Sequence, residues 1–196
     1  MEIRLYFEGD DKLRRGFRTF FSRMALGNIR PVATNGTPVQ DYEDGLRSHP
    51  AAINLLLLDS DEMPERRAQL SEYPKERVFW MIEMMESWFL ADKAALKKFY
   101  RRDFNESALP PRQDVEKIAK RDVENGLREF SRHTKKGLYH KTKHAPDILE
   151  LIDPALVRKA ASECERLFQV LGQLAKIDLR VFGHSSSFHS ELAVAM

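Results

Sequence analysis

Two groups of carboxylates stand directly behind apolar runs near the start of this 196-residue chain. Glu8 follows the apolar run at 5–7, and Asp59 and Asp61 follow four consecutive leucines at 55–58. Such runs predict buried strands, and open α/β sheets bind their ligands where the strands end. Carboxylates gathered at one sheet edge repel each other without a cation, and hard oxygen ligands suit Mg²⁺ or Mn²⁺. The spacing therefore predicts a divalent-metal site for phosphate chemistry, although a polar turn leaving the sheet would explain the same residues.

Three further acidic residues could support this site. Glu83 and Glu86 are three positions apart, so they would share one face of a helix beginning near residue 83. We expect Glu86 to complete a second metal position and Glu83 to lie close by. Asp11 is close to Glu8 in sequence and is a candidate supporting carboxylate. Asp10 or Asp11 could equally cap a helix that begins there.

A basic segment at residues 135–144 is the second feature with chemical potential. It holds four Lys, two His and one Tyr around a glycine. Cations placed at developing negative charge can supply large rate effects, so this segment could hold a phosphate or stabilise a leaving group. Lys141 is the candidate catalytic cation, and Lys136, Lys143 and His144 are candidate phosphate contacts. The alternative is a solvated basic loop.

The elements that would position these residues follow from hydrophobic periodicity. Helices are predicted at 11–26 and 38–49, and a helical pattern runs from about 92 to 175 with interruptions at 110–111 and 134–144. The predicted strands cover residues 2–7, 29–34, 53–58 and 78–82. The order strand-helix-strand-helix-strand predicts a parallel sheet with right-handed crossovers. The expected class is α/β, with a parallel sheet of about four strands flanked by helices and an α-helical C-terminal extension.

The distribution of charge separates the expected parts of the chain. Residues 1–96 hold 13 Lys/Arg against 16 Asp/Glu, residues 97–144 hold 14 against 7, and residues 145–196 hold 5 against 7. We expect a metal-binding core over 1–96, a helical extension with the basic loop packed on it over 97–180, and a loose tail over 181–196. An acidic site beside a basic surface is typical of proteins that act on polyphosphates, and solvated helix faces are the alternative.

Several classes are excluded or disfavoured. The single cysteine, Cys164, excludes a disulfide framework within the chain and fits a packed thiol. His140 and His144 have a zinc-like spacing, but lysines lie between them and no cysteine is near. The chain contains no phosphate-binding lysine loop of the Walker type and no apolar stretch long enough for a membrane. Because residues 1–4 lead directly into the first predicted strand, we expect no signal peptide. We therefore expect a cytoplasmic protein that does not contact membranes.

Glu8-Gly9 after the first predicted strand and Asp59-x-Asp61 after the third resemble the motifs of the Toprim fold, which serves topoisomerases, primases and the overcoming-lysogenization-defect nucleases. More closely, the chain is similar to a family of uncharacterised bacterial Toprim-related proteins. The matching stretches are FEGDDK at 7–12, LDSD at 58–61, MESWFLAD at 85–92, KGLYHKTKH at 136–144 and ILELIDP at 148–154. Many Toprim first motifs place an acidic residue four positions after the glutamate; here that position is Lys12, and Asp11 could substitute.

The resemblance implies a Toprim-like domain with a divalent-metal site centred on Glu8, Asp59 and Asp61. Together with the residues, it favours an Mg²⁺- or Mn²⁺-dependent nuclease that hydrolyses phosphodiesters of DNA or RNA. Glu8 would bind metal or act as general base, and Lys141 would neutralise the scissile phosphate. Toprim relatives in phage-defence loci are often paired with an ATPase, so the resemblance also implies a defence effector with an ATPase partner. The alternatives are a non-catalytic Toprim-fold subunit that docks on an ATPase and a phosphoryl-transfer enzyme acting on a nucleotide.

Overall fold

A four-stranded parallel sheet forms the centre of the protein. The computed structural model describes residues 2–24, 28–60, 68, 70–110 and 114–185, with side chains up to residue 176. The strands are β1 (Ile3–Phe7), β2 (Ile29–Ala33), β3 (Ile53–Asp59) and β4 (Val78–Met81), in the order β2-β1-β3-β4. Every strand pair is parallel. This confirms the α/β class and the four-stranded sheet predicted from the sequence.

Helices flank the sheet and form the C-terminal half. They are α1 (Asp11–Ser22), α2 (Pro38–Ser48), α3 (Ser87–Leu90), α4 (Lys93–Tyr100), α5 (Lys120–Ser131), α6 (Lys141–Leu151), α7 (Pro154–Ala160) and α8 (Ser162–Ser185). Short 3₁₀ turns lie at Glu106–Ala108 and Val115–Lys117. The boundary predicted between 96 and 97 falls inside α4. Helix α8 includes the first five residues of the predicted tail, and residues 186–196 lie outside the described part.

Both faces of the sheet are covered, as its apolar strands require. One face packs on α1 and the C-terminal helices in one continuous apolar core, which includes Phe7, Leu57, Phe17 and Ile148. The opposite face packs on α2 in a smaller cluster around Tyr42. The side chains of alternate strand residues point to opposite faces, so each strand contributes to both clusters. The C-terminal helices therefore share the core of the sheet.

Of the two candidate caps for α1, the structure selects Asp10. Asp10 caps α1, because its carboxylate accepts hydrogen bonds from the backbone N–H groups of Lys12 and Leu13. Asp11 instead lies exposed in the first turn and pairs with Arg14. In α2, Leu46 lies at the surface, and 41% of it is exposed. Tyr42 covers the sheet at that point, since it lies one helical turn earlier and is 1% exposed.

No helix among the described residues is long and apolar enough to cross a membrane. Cys164 is buried, as predicted for a packed thiol, and burial raises the pKa of its thiol well above the usual value. A buried neutral thiol behaves as a small apolar side chain.

Candidate functional site

The carboxyl ends of three neighbouring strands meet at one edge of the sheet and carry acidic residues there. Phe7 lies beside Leu57, and Asp59 lies beside Met81. The backbone N–H of Glu8 donates to Leu57 O at 3.1 Å, which places Glu8 close to the end of β3. Burial is the largest cause of the raised pKa of Asp59, and charge repulsion from Glu86 and Glu8 adds to it. The sheet therefore brings together two of the carboxylates predicted from the apolar runs, and Glu86 joins them.

Asp59 is held in a fixed orientation at the end of β3. Its Oδ1 accepts a hydrogen bond of 2.7 Å from the backbone N–H of Met85, and its Oδ2 lies 3.2 Å from Lys141 Nζ. Asp59 is 4% exposed. A buried carboxylate needs partners of this kind. Asp61, the third predicted carboxylate, lies outside the described residues.

A strained turn after β4 positions the backbone N–H that contacts Asp59. Glu83 has φ +63°, and the N–H of Met84 donates to Ile82 O at 2.8 Å, as in a three-residue γ-turn. The N–H of Glu83 donates to Ser60 Oγ at 2.7 Å, which ties the turn to the end of β3. The turn places the Met85 N–H against Asp59. Strain of this kind is common at functional sites.

The turn also corrects the predicted relation between Glu83 and Glu86. They do not share a helix face, because α3 begins at Ser87 and Glu83 lies in the turn before it. Glu83 Oε2 accepts a hydrogen bond of 3.2 Å from the backbone N–H of Lys120, at the start of α5. Glu83 therefore links the sheet edge to the helical extension, whereas Glu86 faces the acidic cluster.

Glu86 is the most deeply buried carboxylate of the cluster, at 1% exposed. Its Oε1 accepts a 2.9 Å hydrogen bond from the Tyr139 hydroxyl. Its Oε2 lies 3.5 Å from Lys141 Nζ and accepts no hydrogen bond from the described part of the chain. A buried carboxylate oxygen that accepts no hydrogen bond from its surroundings is well placed to bind a cation.

The basic segment contributes two side chains to the cluster. Lys141 is the first residue of α6, and its ammonium lies between Asp59 and Glu86. Tyr139, two residues earlier, contacts Glu86. The two residues are 82 and 53 positions away from their carboxylate partners, so the helical extension closes over the sheet edge here.

The other candidates of the basic segment have different surroundings. Lys136 Nζ lies 4.2 Å from the centre of the Phe99 ring, a cation–π contact. Lys143 is exposed at the surface. His144 is buried, and its Nδ1 accepts the backbone N–H of His140 at 3.2 Å. Burial lowers the pKa of His144, and its hydrogen bond with His140 supports the start of α6.

An excess of negative charge governs the chemistry of the cluster. Burial, followed by the like charges of Glu86 and Glu8, raises the pKa of Asp59 to about 7 against the opposing effect of Lys141. Burial lowers the pKa of Lys141, but Asp59 and Glu86 together outweigh it and raise the pKa above the usual range. Burial and Glu86 likewise raise the pKa of Tyr139. Burial and the surrounding carboxylates therefore favour the protonated forms of Asp59 and Tyr139, and the carboxylates favour the protonated form of Lys141.

The donor chemistry fits a hard divalent cation, since the cluster consists of carboxylate oxygens. Within the described ranges, however, no group of three or more His, Cys, Asp or Glu side chains is arranged as a metal site. The Lys141 ammonium supplies the positive charge between Asp59 and Glu86 in this structure. Those two carboxylates, with Glu8 beside them, are the residues that would hold a metal ion.

Sequence reasoning missed two contacts of this site. Tyr139 lies in the matching stretch at 136–144 but is not among the candidate site residues, and the sequence does not predict the Met85 N–H that orients Asp59. A tyrosine two residues before a candidate catalytic lysine is a usable signal. A backbone donor in a strained turn leaves no residue-type signal in the sequence.

The fold and the site define an α/β protein with an acidic cluster at the carboxyl edge of a parallel sheet. The chain belongs to a family described as a domain of unknown function (DUF4276), whose model matches residues 40–172. Neither a curated protein nor a solved structure matches the chain. The matched region contains Asp59, Glu86, Tyr139 and Lys141, and Glu8 lies before it.

Proposed function

We propose that this protein is an Mg²⁺- or Mn²⁺-dependent nuclease of the Toprim type that hydrolyses phosphodiester bonds of DNA or RNA. The observation that carries the proposal is the convergence of Asp59, Glu86 and Lys141 at the end of a parallel sheet. Two buried carboxylates beside a lysine are the parts that metal-assisted phosphate hydrolysis requires. The resemblance of Glu8-Gly9 and Asp59-x-Asp61 to Toprim motifs, and of five stretches of the chain to a Toprim-related family, supports the same assignment.

The residues take distinct roles in this proposal. Asp59 and Glu86 hold the cation, and Glu8 either joins them or removes a proton from the attacking water. The bound metal would supply Lewis-acid stabilisation of the phosphate and of the attacking oxygen. Lys141 neutralises charge on the scissile phosphate. Tyr139 positions Glu86 through its hydroxyl, and Asp61 is a further candidate ligand.

The basic surface supports a nucleic-acid substrate. Residues 97–144 carry 14 Lys/Arg against 7 Asp/Glu, and Lys141 belongs to this part of the chain. A polyanionic strand gains from many weak phosphate contacts along such a surface, whereas a single nucleotide needs a small enclosed pocket. We therefore rank nucleic acid above a nucleotide. The proposed setting is phage defence, with an ATPase as partner.

One observation favours a second candidate, a non-catalytic subunit that docks on an ATPase. Lys141 already balances part of the charge of Asp59 and Glu86, so the cluster could be a structural ion-pair network without metal. Networks of this kind also perturb pKa values. The two candidates differ in whether the protein binds a divalent cation.

The test combines metal binding with cleavage. Purified protein is incubated with Mn²⁺, Mg²⁺ or EDTA and a panel of duplex DNA, single-stranded DNA, total RNA and tRNA. We expect cleavage in Mn²⁺ that is lost in EDTA and in Asp59→Asn and Glu86→Gln, and retained in Asp122→Asn, an exposed carboxylate of α5. A protein that shows neither cleavage nor an Mn²⁺-dependent thermal shift would be the docking subunit.

A further inference from the structure

The position of the Lys141 ammonium is unusual for a residue whose proposed partner is a substrate phosphate. Its Nζ lies 3.2 Å from Asp59 Oδ2 and 3.5 Å from Glu86 Oε2. Both carboxylates are almost completely buried, with side chains 6% and 1% exposed. The ammonium therefore lies where the proposed function places a metal ion.

The two cations cannot occupy that position together. A magnesium or manganese ion shared by Asp59 and Glu86 needs an oxygen of each at about 2.0–2.2 Å, and it keeps several water molecules. An ammonium within 3.5 Å of the same two oxygens occupies that space. The repulsion between an ammonium and a divalent ion at such a separation adds to the steric conflict.

Lys141 can leave the cluster without a change in the fold. It begins α6, so its backbone lies at a helix end, and 43% of its side chain is exposed. A lysine stem has four rotatable carbons and carries a point charge that does not depend on a fixed geometry. Tyr139 still holds Glu86 Oε1 when Lys141 moves, because its hydrogen bond is made to the other oxygen.

We propose that the Lys141 ammonium and a divalent cation are alternative occupants of the Asp59–Glu86 position. In the metal-free protein the ammonium closes this position and stabilises the two buried carboxylates. Cation binding displaces the ammonium toward the open side of the cluster, where it can contact a substrate phosphate. Lys141 thus couples metal loading to phosphate binding. This inference rests on the proposed function, because it assigns a metal ion to the same site.

The charges of the cluster agree with such an exchange. In the metal-free protein, the acidic groups of Glu8, Asp59 and Glu86 outnumber the single ammonium of Lys141. A divalent cation in the same place balances more of this charge, and the released ammonium is then available for a phosphate, which brings its own negative charge. In the free protein the ammonium therefore offsets part of the charge of Asp59 and Glu86, two buried carboxylates that would be costly to leave uncompensated.

The test measures Mn²⁺ binding by isothermal titration calorimetry in wild type, Lys141→Met and Lys135→Met. Methionine keeps much of the lysine stem and removes the ammonium. Lys135 is an exposed lysine of the same segment, so its variant reports the effect of one lost positive charge at a distance. If the ammonium occupies the position in nine of ten molecules, its removal strengthens Mn²⁺ binding by about tenfold. We expect that gain in Lys141→Met and a change below about twofold in Lys135→Met.

A second readout uses the wild-type protein and does not depend on the folding of a variant. Lysine acetylation by acetic anhydride is quantified by mass spectrometry with and without Mn²⁺. We expect Lys141 to be protected in the metal-free protein and to react several times faster with saturating Mn²⁺, whereas Lys135 reacts equally in both.

The outcomes separate this inference from the proposed function. Equal Mn²⁺ affinity in wild type and Lys141→Met, or unchanged protection of Lys141 with bound Mn²⁺, overturns the exchange and leaves a metal-dependent nuclease intact. Absence of Mn²⁺ binding to both proteins overturns the proposed function and the exchange with it. Binding to Lys141→Met alone supports the exchange in its strongest form, with the ammonium excluding the metal.

Discussion

The stability of the metal-free protein should depend on pH through Asp59, and Asp59→Asn isolates that dependence. Asparagine has the shape of aspartate and keeps an oxygen that can accept the Met85 N–H, whose present hydrogen bond is 2.7 Å long. It removes the negative charge that burial, Glu86 and Glu8 all disfavour. The substitution therefore changes the electrostatics of the cluster and little of its packing.

The size of the effect follows from the pKa of Asp59, which is raised from 3.8 to about 7 in the folded protein. Below pH 4 the carboxyl is protonated in both the folded and the unfolded chain, so it imposes no penalty. Between pH 4 and 7 the unfolded chain releases the proton while the folded protein keeps it, so stability falls as pH rises. About three pH units at ~1.4 kcal/mol each give a loss of about 4 kcal/mol by pH 8.

The assay is urea denaturation followed by circular dichroism in EDTA, at half-unit steps from pH 4.5 to 8.5. We expect the free energy of unfolding of Asp59→Asn relative to wild type to rise by several kcal/mol across this range and to level off above pH 7. Asp122→Asn is the control, because Asp122 is exposed, and its difference from wild type should stay within about 0.5 kcal/mol at every pH. A pH-independent difference between Asp59→Asn and wild type would refute the reasoning, as would a difference that falls with pH.

Further predictions concern single side chains. Tyr139→Phe removes the hydroxyl that donates to Glu86, a hydrogen bond to a charged group, and should lower the free energy of unfolding by about 1–3 kcal/mol in urea denaturation. Asp92→Ala removes a buried carboxylate that accepts two backbone N–H groups and should cost about 2–4 kcal/mol in the same assay. Lys143→Ala should weaken nucleic-acid binding and flatten the slope of log binding constant against log salt concentration by about 0.7–0.9. Excess substrate should restore its turnover. Lys141→Ala should keep a lowered turnover at saturation.

Each of these predictions has a clear contrary result. A stability of Tyr139→Phe equal to that of wild type would mean that its hydroxyl does not hold Glu86. A loss of Mn²⁺ binding in Asp92→Ala with unchanged stability would make Asp92 a metal ligand instead of a structural acceptor of backbone N–H groups. Full recovery of Lys141→Ala at saturating substrate would limit Lys141 to binding.

The parts of the site that lie on the sheet were predictable from the sequence. Apolar runs place Glu8 and Asp59 at strand ends, and parallel strands bring their carboxyl ends to one edge. That inference needs strand boundaries accurate to about one residue, and β1 and β3 end at Phe7 and Asp59. Asp59 is the last strand residue instead of the first loop residue, which explains its deep burial.

The turn after β4 was not predictable in the same way. Residues 83–90 are rich in good helix formers, so propensity extends a helix back to Glu83. In the structure, Ser60 Oγ and Asp59 Oδ1 accept the backbone N–H groups of Glu83 and Met85, which a helix starting at Glu83 would leave as free helix-end donors. These side-chain acceptors come from another strand, and tertiary contacts of this kind override local preference.

The sheet also shows which part of the chain forms one folding unit. The family match begins at residue 40, yet β1 lies between β2 and β3 and pairs with β3 from Ile3 opposite Ile53 to Phe7 opposite Leu57. Helix α1 packs on α6 and lies in the same core as the C-terminal helices. Without residues 1–39, β3 would lose its main partner, and its leucines would lose the apolar cover of α1 on one face. The acidic cluster would lose Glu8 as well, so the N-terminal strand belongs to the same domain as the matched region and contributes to its site.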